Sequence, residues 1–153
     1  MKLSATILAA GASKRMGDLN KLLLQIDNKP IIYSVCKTAL GSKLDQIILV
    51  TGYENSKIEK TVPMGIHNIV YNKNWRQGMM SSIYAGLSNL DDDVDGNMII
   101  LGDMPLITEH TLNLLIDEFK INNGNRIVYP IYEARQANPV IFPKKYFAEI
   151  LDS

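Results

Sequence analysis

The sequence predicts an α/β fold built on a mainly parallel sheet. Three observations carry this. Short apolar runs alternate with segments of helical period along the chain. The runs are continuous rather than alternating, as in Ile47-Ile48-Leu49-Val50, which is the pattern of strands buried on both faces. Between them lie glycine-containing or polar turns, so each strand is followed by a loop and a helix.

Ala5 to Ala9 reads as the first strand, followed by a glycine-containing polar loop over residues 10 to 20 and a short extended stretch from Leu22 to Ile26. Pro30 suits the first turn of a helix running to about Leu40, and Gly41 ends it. Gln46 to Thr51 is a second buried strand, Glu54 to Lys60 a short helix, and His67 to Tyr71 a third strand. Asn72 to Gly78 is turn-rich. From Met79 to Leu90, Met80, Ile83, Leu87 and Leu90 share one helical face, which predicts a helix packed on the sheet. The acidic run Asp91 to Asp95 breaks that helix as a solvated loop, since it lacks the glycine and distal glutamate of a calcium-binding loop. Asn97 to Leu101 is a fourth buried strand. Thr108 is positioned to cap a helix whose stripe is Leu112, Leu115, Ile116 and Phe119, and Arg126 to Ile131 and Pro139 to Phe142 read as strands. In such a sheet, ligands bind outside the carboxyl ends of the strands.

The chain has 153 residues, the size of one compact domain spanning 1–153. Sixteen Lys and Arg balance sixteen Asp and Glu, so no net positive field gathers nucleic acid or anionic membrane. No apolar run approaches the roughly 20 residues of a membrane span. The N-terminal stretch meets Gly11, Lys14 and Arg15 too early for a signal peptide, which with one cysteine, Cys36, leads us to expect a cytoplasmic protein. Cys36 lies in an apolar helix and is expected to be a buried, inert thiol. His67 and His110 have no Cys or His neighbours that would build a zinc site.

Chemistry concentrates in Leu8-Ala9-Ala10-Gly11-Ala12-Ser13-Lys14-Arg15-Met16-Gly17-Asp18-Leu19-Asn20-Lys21, directly after the first strand. Small residues let backbone N–H groups approach a phosphate, and Lys14, Arg15 and Lys21 offset its charge. The glycine spacing fits neither a P-loop nor the dinucleotide fingerprint. The residues alone leave a phosphate-binding loop and a solvated turn both open. Asp103, two residues beyond a strand, sits at the sheet's carboxyl edge, as a metal ligand or as a turn-forming cap. Gly78, Ser81 and Ser82 lie where a loop enters a helix, which serves nucleotide contact or an ordinary helix start equally. Met79 and Met80 are expected in the core, and Trp75 with Arg76 either covers a ligand or packs.

Leu8 to Lys21 resembles the L-A-A-G-x-S-x-R-M-G…N-K signature of the MobA-like nucleotidyltransferases, and is most similar to that of the molybdenum cofactor cytidylyltransferases. The resemblance recurs at Ile48 to Tyr53, Asn72 to Ser82, Leu101-Gly102-Asp103-Met104-Pro105 and Asn138 to Phe142, covering nearly the whole chain in order. It implies a Rossmann-like three-layer α/β/α fold of the nucleotide-diphospho-sugar transferase type. It also implies that Ala9, Ala10, Gly11, Ala12, Ser13, Arg15, Lys21, Gly78, Ser81, Ser82 and Asp103 hold a nucleotide, that Arg15, Lys21 and Asp103 are catalytic, and that Asp103 binds Mg²⁺. Ala10 stands where guanylyl-transferring relatives usually carry glycine, which points to CTP rather than GTP. The implied reaction joins CMP from CTP to the terminal phosphate of molybdenum-molybdopterin, releasing pyrophosphate, with a molybdenum hydroxylase apoenzyme as recipient of the product. Two departures accompany the likeness. Ala137-Asn138-Pro139 replaces a Gly-His-Pro, and the family's pattern runs on past the equivalent of Phe142 to a second acidic metal ligand, so the C-terminal part of the family fold is expected to be absent from these 153 residues. Two alternatives accompany this reading: a related nucleotidyltransferase acting on a sugar or polyol phosphate, and a non-catalytic module that binds nucleotide or the pterin cofactor.

Overall fold

In the computed structural model, which describes residues 1–12 and 19–152, strand β1 (Leu3–Ala9) is the centre of the molecule. It pairs in parallel with β4 (Gln46–Thr51) on one side, Ser4 opposite Gln46, and with β6 (Gly96–Leu101) on the other, Leu8 opposite Leu101. Strand β5 (Asn68–Tyr71) adds in parallel beyond β4, and β9 (Val140–Pro143) adds antiparallel beyond β6, giving the order β5-β4-β1-β6-β9. Strands flanked on both edges and covered on both faces are buried along nearly their whole length, which is why β1 and β4 read as largely apolar runs.

The two faces differ. Leu3, Ala5, Ile7 and Ala9 of β1, with Ile47, Leu49, Met98 and Ile100, pack against α1 (Ile31–Gly41), α2 (Asn55–Thr61) and α4 (Glu109–Ile121) in the main core. Ile32, Val35, Cys36 and Ala39 of α1 and Leu112, Ile116 and Phe119 of α4 supply the facing stripes. On the opposite face, Ala10, Ile48 and Val50 form a smaller cluster with Val70, Trp75, Ala85 and Leu90 beneath α3 (Met79–Leu87). This face also carries polar residues: the Thr6 hydroxyl donates to Asn97 Oδ1 at 3.1 Å, and Asn97 Nδ2 donates to the Ser4 hydroxyl at 2.8 Å. All three are fully buried and fully bonded, as buried polar groups must be.

The buried side of α3 differs from the expected stripe. Met80 is exposed, and Ile83 and Leu90 are half-buried; the helix instead presents Ser82, Gly86 and Leu87. A Cβ at Gly86 would lie 2.3 Å from Thr6 Cγ2, so the helix approaches the sheet closely through its small residues. Met79 and Met80 are likewise surface residues rather than core.

Shorter elements follow local chemistry. After a 3₁₀ turn at Lys21–Leu23, β2 (Gln25–Ile26) and β3 (Lys29–Pro30) form a hairpin whose Asp27 and Asn28 both take positive φ, as a two-residue turn requires. The Thr108 hydroxyl caps α4 by accepting from the Thr111 N–H. The segment expected as a strand over 126–131 makes only a single bridge, Val128 to Ile141, then turns back as the hairpin β7 (Ile131–Tyr132) and β8 (Arg135–Gln136). A last helix, α5 (Phe147–Leu151), lies against α3. The acidic loop closes on Lys2, whose ammonium binds Asp91 and Asp93 at 2.9 Å each and is pushed up to about 12 by those bonds. His67 is a structural residue, its Nδ1 accepting from the Ile47 N–H at 3.0 Å. Among the described residues no helix is long and apolar enough to cross a membrane.

Two expectations test this packing. Gly86→Val pushes α3 off β1 and should lower stability by about 1–3 kcal/mol in urea unfolding. Burial pushes the Cys36 thiol up to about 12, so it should resist a thiol reagent at pH 8 in the native protein and react fully once the chain is denatured.

Candidate functional site

Because β1 and β6 are parallel neighbours, the loops leaving their carboxyl ends emerge side by side. They border a cleft of about 350 Å³. Leu8, Ala9, Ala10, Gly11 and Ala12 form one border, Leu101, Gly102 and Asp103 the next, and the Asn20–Leu22 turn and the Trp75, Gly78, Met79 and Ser82 segment stand on the remaining sides.

Backbone contacts hold this arrangement. The Gly102 N–H donates to the Leu8 carbonyl at 2.9 Å, and the Tyr53 N–H donates to the Ala10 carbonyl at 2.9 Å. A Cβ on Gly102 would lie 2.5 Å from the Leu8 oxygen, and one on Gly52 would meet the Ala10 oxygen at 2.7 Å and Trp75 Cβ at 2.6 Å. Gly11 is different: a Cβ there would meet nothing within 4 Å among the described residues, so the cleft wall is open at this point of the backbone.

On the α3 side, Asn72 fastens the loop. Its Nδ2 donates to the hydroxyls of Ser81 (2.9 Å) and Ser82 (3.1 Å), and its Oδ1 accepts from the Asn74 N–H. Gly78 then takes φ 103° and ψ −175°, a conformation favouring glycine, and leads into α3. Trp75 packs 5.6 Å from the Tyr53 ring, and the Arg76 guanidinium lies 4.5 Å over its face. Trp75 thus both packs and lines the cleft.

Opposite, Asn20 caps the 3₁₀ turn, its Oδ1 accepting from the Leu22 N–H at 3.1 Å, and this turn delivers Lys21 to the mouth. Lys21 Nζ lies 3.6 Å from Asp103 Oδ2, both side chains about half exposed. A cation and a carboxylate distant in sequence therefore meet at the entrance.

Of the residues expected to form a site, Ala9, Ala10, Gly11, Ala12, Lys21, Gly78, Ser82 and Asp103 all border this one cleft. Ser81 does not: its hydroxyl is turned to the Gly78 and Asn74 carbonyls, and it lines a separate groove between α3 and α5. Ser13 and Arg15 lie outside the described residues. Sequence reasoning missed Asn72, Gly52 and Gly102 as residues that shape the site, although all three sit inside the recognised motifs. For a divalent metal, Asp103 is the one carboxylate bordering the cleft among the described residues, and no group of three or more His, Cys, Asp or Glu gathers to hold an ion alone. One carboxylate beside an open cleft fits an ion whose remaining ligands are water and phosphate oxygens, taking the place of the Lys21 ammonium that pairs with Asp103 here.

Comparison with known proteins bears on the family and the fold. The chain is 33% identical over 135 residues to a probable molybdenum cofactor guanylyltransferase of Thermococcus gammatolerans, covering 88% of this chain and 65% of that protein, so it spans less than two thirds of that relative's length. The crystal structure of Rv0371c from Mycobacterium tuberculosis superposes with a TM-score of 0.87 at 23% identity, covering 99% of this chain and 76% of that one, and its manganese complex with a TM-score of 0.84 at 22% identity, covering 100% and 77%. A 4-diphosphocytidyl-2C-methyl-D-erythritol synthase from Anaerococcus prevotii superposes with a TM-score of 0.74 at 20% identity, covering 99% and 76%. At these identities the structures establish the fold, a mostly parallel sheet between helix layers of the nucleotide-diphospho-sugar transferase type. The sequence pattern of the MobA-like NTP transferase domain matches residues 5–153, and the chain belongs to that family.

Proposed function

We propose that the protein is a nucleotidyltransferase that moves CMP from CTP to the terminal phosphate of molybdenum-bound molybdopterin, giving the cytosine dinucleotide and pyrophosphate. The observation that carries the reading is the single cleft in which an open glycine-bearing backbone loop, a lysine and an aspartate converge at the carboxyl edge of β1 and β6. A nucleoside triphosphate matches those groups: small residues admit its phosphates to the backbone, and Lys21 offsets their charge. The molybdopterin acceptor is supported by the name of the T. gammatolerans relative. That relative's name also favours GTP as donor. Ala10, standing where the guanylyl-transferring relatives usually carry glycine, is the residue on which the CTP reading rests.

In this reading a phosphate attacks a phosphate. The acceptor's second pKa is near ~6, so it is largely dianionic at neutral pH and needs no general base. One of its oxygens bonds to the α-phosphorus of the nucleotide, the bond from that phosphorus to the bridging oxygen breaks, and the electron pair leaves with pyrophosphate. Lys21, with Arg15 and Ser13 of the recognition loop, binds the departing phosphates, and the loop backbone around Gly11 and Ala12 orients them. Asp103 is the residue that would hold Mg²⁺, which supplies charge neutralisation across the phosphate oxygens. Gly78 and Ser82 border the nucleotide from the α3 side, and Ser81 contributes by fixing the loop that carries them.

Pyrophosphate release measured with Mg²⁺ and either CTP or GTP, with and without molybdenum-loaded molybdopterin, tests the reading; release is expected only with CTP and the pterin together. Release with GTP instead moves the assignment to guanylyl transfer, and release with a sugar or polyol phosphate moves the acceptor. Asp103→Asn, which keeps the shape and removes the charge, should cut turnover by about 10²-fold or more without lowering the unfolding midpoint.

A further inference from the structure

Asn20 stands out from the other buried amides of the described residues. Asn72 Nδ2 reaches two hydroxyls, Asn97 Nδ2 reaches Ser4, and Gln46 Nε2 reaches Asn68. Asn20 is only 7% exposed, and its Nδ2 is the one buried side-chain polar atom among the described residues without a partner. The amide cannot be turned round to relieve this, because its Oδ1 is committed to the Leu22 N–H and a flipped NH₂ would meet another donor. A buried donor left unmatched is costly, and such exceptions ask for an explanation in what the site binds.

Three facts set the chemistry of the missing partner. Asn20 is one of the residues that line the cleft, its Nδ2 buried just behind the surface. Its vacant group is a donor, so the partner is an acceptor. The next residue is Lys21, whose ammonium marks the cationic corner beside Asp103. Ionised phosphate oxygens are acceptors only, and a lysine ammonium next in the chain favours them over the oxygens of a base or sugar. We infer that Asn20 is a nucleotide-contacting residue whose Nδ2 donates to a phosphate oxygen of the bound nucleoside triphosphate. The inference rests on the nucleotidyltransferase reading of this cleft. It divides the side chain between two tasks: the oxygen shapes the turn that presents Lys21, and the nitrogen meets the substrate.

The division supplies the test. Serine and aspartate cap a helical turn about as well as asparagine but carry no Nδ2. Asn20→Ser should therefore keep the unfolding midpoint within a few degrees of the parent while weakening calorimetric binding of both Mg·CTP and Mg·GTP about tenfold. Asn20→Asp, which turns a carboxylate toward the phosphates, should weaken both further. Undiminished binding by Asn20→Ser overturns the inference and leaves Asn20 a cap. A loss confined to one of the two nucleotides also overturns it, since that marks contact with a base. Failure of the parent protein to bind either nucleotide removes the nucleotidyltransferase reading itself, and the Asn20 assignment with it. Should the variants fold poorly, the side-chain amide resonance of Asn20 in ¹⁵N-labelled parent protein gives the answer: it should move on saturation with Mg·CTP, and a stationary signal overturns the inference.

Discussion

Two carbonyl oxygens at the end of β1 set the rest of the site. Leu8 accepts from Gly102 on one flank and Ala10 accepts from Tyr53 on the other, so the parallel ladders continue past the point where side-chain pairing stops. The approach is close enough that Gly102 and Gly52 have no room for a Cβ. From this constraint follow the position of Asp103, one residue beyond Gly102, and the seat of Trp75, which fills the space that Gly52 leaves. A sheet of side-by-side parallel strands brings its loops to one edge in any case. The two carbonyls determine how near those loops come.

The sheet divides labour between its faces. The face toward α1, α2 and α4 is apolar and holds most of the buried hydrophobic residues. The face toward α3 is thin, with Thr6, Ser4 and Asn97 bonded to one another and Gly86 allowing the helix to settle on Thr6. A helix seated on small and polar residues stays close to the sheet, which brings its entry at Gly78 and the Asn72 clasp to the cleft rim.

Continuous apolar runs and end glycines were enough to place the central strands, and motif spacing was enough to place Gly11, Lys21 and Asp103 near a common edge. What stayed hidden depends on contacts between distant residues. The α3 stripe was misread because pattern reasoning follows large apolar side chains, whereas Ser82 and Gly86 are buried by a close approach that only Thr6 reveals. The hairpin at Asp27-Asn28 has residues suited to positive φ, but the one at Glu133-Ala134 takes the same geometry with residues that give no such signal, so the strand expected over 126–131 was not seen to end in a hairpin. The 3.6 Å meeting of Lys21 and Asp103 depends on the direction of the capped turn after Asn20, and no periodicity encodes it.

Trp75 is the chain's only tryptophan, and it stands in the cleft wall between the Tyr53 ring and the Arg76 guanidinium. The protein therefore carries one indole fluorophore among its seven tyrosines, located in the wall of the cleft. Its emission is set by the polarity and the charges around the indole, so occupancy of the cleft becomes an optical signal that needs no attached dye. With no second indole to add background, a change in that emission reports on this wall of the molecule alone.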